Sequence, residues 1–196
     1  FNHYDVDSIP LAPNVHDELE NRPGVYRKAA KVWRNLTDRE RREAAACYYA
    51  TITEIDQQFG RILQRLKEKG VLDDTVVIFT TDHGESLGAH GLYCKNVSAS
   101  EEIYQIPLII SGPGIAQGEL CDARVGLHDL CQTILELAGL PPFPVPDSQS
   151  FAKCLRAPDD AEDFRAGFAE YYGCRMYFTQ RVTWDGPWKF VFNGFD

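Results

Sequence analysis

The chain has no run of 18 apolar residues, so nothing in it reads as a membrane-spanning helix. Basic residues are scarce: 20 Lys and Arg stand against 29 Asp and Glu, for a formal net charge of −9. The most basic stretch is the mixed segment TDRERREAA, so a nucleic-acid partner is disfavoured. The six cysteines, at 47, 94, 121, 131, 154 and 174, are scattered singly, with no CxxC pair and no zinc-ligand spacing. They read as free thiols rather than a disulfide framework, which leans towards a reducing, cytoplasmic compartment. A start methionine, a charged leader and an apolar leader are also missing, so no signal peptide is visible. Both ends read as cut, since the last residues, KFVFNGFD, stop just after a strand-like run. There is no internal repeat. The sequons at Asn35 and Asn96 are short enough to arise by chance.

What is present is ordinary globular material: 196 residues, 44% hydrophobic and 25% charged, enough for one domain or one and a half with a sizeable core. Residues 1–35 are rich in Pro, Asn and Asp and read as a surface loop with short turns. Thr37 and Glu40 have the form of a capping box. Behind them Tyr48, Ile52, Ile55, Phe59, Ile62 and Leu66 recur at spacings of four and three, predicting a long helix with this stripe in the core and Gly70 as its stop. VVIFTT (76–81) then reads as a central parallel strand buried on both faces, and IPLII (106–110) as a second. A helix follows over about 127–138, with Leu130, Ile134, Leu137 and Ala138 on one side. Past LPPFPVPDS the short aromatic segments FAEYYG, MYFTQRVTW and WKFVFN suggest a small antiparallel sheet. The expected organisation is α/β: a loop region over 1–35, an α/β portion with flanking helices over 36–147, and the start of a small C-terminal subdomain over 148–196.

Ligands in open α/β sheets bind beyond the carboxyl ends of strands. VVIFTT runs there into FTTDHGESLGAHGLYCKN, residues 79–96. Asp82 and His83 are a two-ligand fragment of a metal site, short of the four to seven donors a metal takes. Gly84 lets the backbone leave the strand tightly, and Gly88 and Gly91 keep the loop close to what it surrounds. Lys95 suits a sulfate or phosphate oxygen, and His90 can give a hydrogen bond or a proton to a leaving group. Cys94 reads as a small packed residue. The bland alternative is a solvated turn, with Asp82 capping and His83 packed.

TTDHGESLGAHGLYCK resembles the second signature of the sulfatase family, in the alkaline phosphatase superfamily. The likeness continues outside the loop. The segment from Tyr48 through VVIFTTDHGE resembles the family's long helix and the strand it feeds, YQIPLIISGPGI its next strand and turn, GLHDLCQTILELAGL a later helix, and WKFVFNGFD a C-terminal strand. The resemblance makes Asp82 and His83 metal ligands and Lys95 the cation that binds the sulfuryl oxygens and offsets charge in the transition state, with His90 a further catalytic candidate. It implies one divalent ion, Ca²⁺ first and Mn²⁺ second because a His ligand is softer than calcium's usual oxygens. It also implies a formylglycine nucleophile that attacks sulfur while a histidine protonates the leaving alcohol.

The Cys-x-Pro-Ser-Arg segment that would supply that nucleophile is not here; neither Cys121-Asp-Ala-Arg nor Cys154-Leu-Arg-Ala-Pro is it. Two aspartates that complete the family's metal site are missing as well, and His3 is no substitute for the family's upstream histidine. The chain therefore resembles the C-terminal portion of a sulfatase, holding half a site and expected to be inactive alone. The substrate implied is a small-molecule or glycan sulfate ester. A phosphonate monoester or phosphodiester hydrolase stays open, because both ester types present a singly charged tetrahedral oxyanion. So do a phosphatase or phosphomutase of the superfamily and a non-catalytic fragment. Elsewhere Asp129 reads as a helix cap and His16-Asp17-Glu18 as a solvated cluster near the family's substrate mouth. Glu101-Glu102 either pair with Lys95 or face solvent. Gln132, where the family carries proline, reads as a difference at a helix start.

Overall fold

The computed structural model describes residues 3–95, 99–173 and 177–194. Asn96 of the second sequon and Cys174 lie outside them. The chain forms two compact units, one made of the residues up to Leu72 with His83–Ile106, the other of Asp73–Asp82 with the residues from Pro107 onward.

The first unit is organised on a long helix. After a short helix α1 (Gly24–Ala30), α2 (Asp38–Glu68) starts on the expected capping box. The Glu40 N–H donates to Thr37 Oγ1 at 3.2 Å, and the Thr37 N–H donates back to Glu40 Oε2 at 2.7 Å. It ends in a Schellman turn: Gly70, at φ 66°, donates to Lys67 O and Val71 to Leu66 O. The buried seam of α2 differs from the expected stripe. Arg41, Ala45 and Ala46 are buried, and the seam continues through Tyr49 to Thr53, whose hydroxyl meets Tyr4 Oη at 2.7 Å. Ile52, Ile55 and Ile62 are 48–58% exposed. The small alanines let residues Tyr4–Ile9 approach closely, which turns the helix about one position from its most apolar face. Nor are the first residues only a surface loop: they contain α1, and Ile9, Val15, Leu19 and Tyr26 are buried.

In the second unit β1 (Val77–Thr80) pairs with β2 (Leu108–Ser111), and the pairing is antiparallel, Val77 opposite Ser111 and Thr80 opposite Leu108. The parallel reading is thus corrected. A parallel return needs a crossover helix over the sheet, and between the two strands the described residues form only a 3-10 turn at Ala89–Gly91 and the single α-helical turn α3 (Glu101–Tyr104). An apolar run also does not distinguish the two directions. β1 is half-buried along its length rather than sealed on both faces.

Helix α4 (Leu127–Leu137) lies where expected, but its inner face is polar, with Asp129, Gln132 and Thr133 buried and Ile134 and Ala138 exposed. Asp129 is the cap the sequence suggested, accepting from the Gly126 N–H at 2.9 Å and the Gln149 N–H at 3.0 Å. Gln132 sits inside the helix rather than at its start. Its amide pairs with both backbone groups of Phe143, tying down the Pro-rich segment. Phe151, Cys154 and Phe164, around the short helix α5 (Ala152–Arg156), form the core of this unit with Leu108, Ile110 and Leu130. The expected small sheet is present: β3 (Ala166–Tyr171), β4 (Gln180–Asp185) and β5 (Trp188–Asn193), all antiparallel. The β4–β5 hairpin turns on Gly186-Pro187, with Gly186 at φ 51° supplying the conformation a two-residue turn requires.

Candidate functional site

Asp82 closes a segment of the second unit and His83 opens a segment of the first. Asp82 is exposed and receives the Thr81 hydroxyl at 3.4 Å. Gly84 follows because nothing larger fits: a Cβ there would stand 1.8 Å from the Glu102 carbonyl oxygen, and the Gly84 N–H bonds Ile103 O at 2.9 Å. This close approach fixes where His83 leaves the backbone.

His83 Nδ1 lies 2.8 Å from the Gly84 carbonyl oxygen. A carbonyl only accepts, so Nδ1 carries the ring proton and Nε2 keeps its lone pair. That lone pair faces Lys95 Nζ in direct contact. The structure thus brings His83 and Lys95 together, twelve residues apart in sequence. The tautomer is also the one a metal-ligating histidine needs, with one ring nitrogen donating to a carbonyl and the other bare. Asp82 and His83 are donors of the right chemistry for a divalent ion, but they are two. Among the described residues no group of three or more His, Cys, Asp or Glu converges.

The loop that returns to Lys95 is cross-braced by a residue that sequence reading passed over. Glu85 Oε1 accepts from the Leu87 N–H at 3.2 Å and from the Cys94 N–H at 2.6 Å. Ser86 Oγ donates to Cys94 O at 2.8 Å, and the Gly88 N–H to Leu92 O at 2.8 Å. Cys94, expected to be packed, is exposed and holds a left-handed φ of 63°. Its place is set by its backbone bonds, not by burial of its thiol.

His90 does not stand alone either. Its Nδ1 is 2.7 Å from Asp17 Oδ2, its Nε2 is 3.0 Å from Asn14 Nδ2, and its backbone N–H donates to Asn14 Oδ1 at 3.2 Å. Asp17 is therefore no merely solvated charge. The Leu19 N–H and then the His90 ring hold its carboxyl below the usual carboxylate range. Residues 17–22 line an open cavity of about 490 Å³ beside this contact. Asn14 and Asp17 carry no sequence signal for this role, because each is more than 70 residues from His90. Glu101 and Glu102 are both exposed. His128 stacks near Phe168, ring centroids 4.8 Å apart, beside the Asp129 cap.

A mixed α/β chain with a His-Lys loop and a small antiparallel C-terminal sheet is built like proteins of the alkaline phosphatase superfamily. The sulfatase family model matches residues 13–140, and the chain belongs to that family. Arylsulfatase K of Danio rerio is 32% identical over 160 residues, covering 80% of this chain and 30% of that protein. The choline-sulfatase of Rhizobium meliloti is 29% identical over 162 residues, covering 83% and 31%. Among solved structures, the phosphonate monoester hydrolase SpPMH from Silicibacter pomeroyi superposes with a TM-score of 0.83 at 25% identity, covering 97% of this chain and 43% of that one. The chain thus spans about a third of the length of these curated relatives. Membership supports a sulfatase-type hydrolase at the level of the family.

Proposed function

We propose that this chain is part of a metal-dependent sulfuric ester hydrolase and contributes the Asp82, His83 and Lys95 portion of its active site. The observation that carries the reading is the His83 ring, protonated at Nδ1 by its bond to Gly84 O and presenting Nε2 to Lys95 within a sulfatase-family loop. Asp82 and His83 would hold a divalent ion, Ca²⁺ first and Mn²⁺ as the alternative, with further ligands from outside this chain. When bound, that ion would supply Lewis-acid stabilisation of charge on the ester oxygens. Lys95 binds a sulfuryl oxygen as a point cation and takes up charge as the S–O bond to the leaving alcohol lengthens. The Glu85 brace keeps Lys95 in place through the Cys94 backbone. The nucleophile, a formylglycine in this reading, lies outside the chain, so residues 1–196 alone are inactive. The substrate is a small-molecule or glycan sulfate ester.

A second reading is supported by the likeness to SpPMH: hydrolysis of a phosphonate monoester or phosphodiester. The same cation and metal half-site would serve either singly charged oxyanion.

The test is metal analysis and turnover in the full-length protein. His83→Ala lowers bound metal, whereas Lys95→Ala keeps the metal and lowers kcat by about 10²–10³-fold, the scale of removing one donor to a developing oxyanion. Full metal content with unchanged turnover in both variants would sink the assignment.

A further inference from the structure

The contacts of His90 fix its protonation. The His90 backbone N–H can only donate, so the atom of Asn14 that faces it at 3.2 Å is the oxygen. The Asn14 nitrogen is then the atom 3.0 Å from His90 Nε2, and since that amide donates, Nε2 must accept. The ring proton accordingly sits on Nδ1, 2.7 Å from the Asp17 carboxylate that receives it. If Asn14 were turned the other way, two donors would meet at the His90 N–H.

The backbone supports the same arrangement. His90 adopts φ 55°, a left-handed conformation that brings its N–H and its ring to one residue, Asn14. Asp17 is braced in turn, its Oδ1 accepting from the Leu19 N–H at 2.9 Å and its own N–H bonding Asn14 O at 3.0 Å. Val15, between them, is buried, and a Cβ on Gly91 would stand 3.3 Å from its carbonyl oxygen.

We propose that Asn14 and Asp17 are positioning residues that lock His90 as the neutral, Nδ1-protonated ring and thereby clasp the loop carrying His83 and Lys95. In this arrangement His90 has no proton to give at Nε2, so it serves the site by holding the loop and not as acid for the leaving alcohol. The catalytic consequence rests on the sulfatase reading above; the tautomer does not.

Two measurements test it. In the long-range ¹H–¹⁵N spectrum of the full-length protein, with His90 assigned through His90→Gln, we expect a protonated Nδ1 and a bare Nε2. A proton on Nε2 alone would overturn the inference. Asn14→Asp places a carboxylate opposite Nε2 and is expected to add a second ring proton; a ring left bare at Nε2 contradicts the geometry. In turnover assays Asp17→Ala and Asn14→Ala should each lower kcat per folded molecule by about 10–100-fold with KM little changed, as when the partner of a site histidine is removed. Unchanged kcat per folded molecule would refute the positioning role. If the full-length protein cleaves no sulfate ester, the functional reading fails, and the spectrum still decides the tautomer.

Discussion

Gly84 shows how tightly the candidate site is built. A methyl group there collides with backbone at Glu102, which cannot swing aside like the end of a side chain. Gly84→Ala is expected to lower stability by about 1–3 kcal/mol, the range for overpacking, and to cut turnover of the full-length protein by displacing His83. Urea unfolding and kcat/KM check both. Asp17 gives a pH prediction. Its folded-state pKa is depressed, first by the Leu19 N–H and then by His90, so its contribution to stability is present above the usual carboxylate value. That contribution is lost as pH falls through the lowered value. The stability gap between wild type and Asp17→Ala should therefore be full at neutral pH and shrink below about pH 4; a gap constant from pH 7 to pH 3 would contradict it. Asp82, His83 and Lys95 stand out in the sequence as candidates because they are adjacent or fall within one short loop. Asn14, Asp17 and Glu85 do not, because their roles depend on which distant or backbone groups they meet, and spacing does not encode that.

At the scale of elements, local signals carried well and packing directions did not. The Thr37–Glu40 box, the glycine stop at Gly70, and the three C-terminal strands were readable because each is decided by neighbouring residues. The direction of β2, the rotation of α2 and the polar inner face of α4 were not, because each is decided by what packs against the element. Gln132 illustrates the difference: within a helical pattern it looks neutral, yet it is the partner of both Phe143 backbone groups. Gln132→Ala strands that N–H and carbonyl and should cost about 1–3 kcal/mol, with protease cleavage in the 141–146 segment becoming faster. Replacement without effect on either would mean that water satisfies Phe143 equally well.

For the whole molecule, family membership rests on residues 13–140, and the chain covers 30% of the length of the Danio rerio arylsulfatase K. In the proposed reading its own contribution is a metal-ligand pair, an oxyanion cation and the clasp that holds their loop. None of these distinguishes sulfur from phosphorus, and the resemblance to SpPMH keeps the two ester classes in direct competition. No helix among the described residues is long and apolar enough to cross a membrane. The measurement that bears most directly on the central claim is kcat/KM of the metal-loaded full-length protein for an aryl sulfate and for the matching aryl phosphonate monoester. The account predicts that sulfate is preferred and that Lys95→Ala removes most of its turnover; phosphonate turnover exceeding sulfate by orders of magnitude would contradict it.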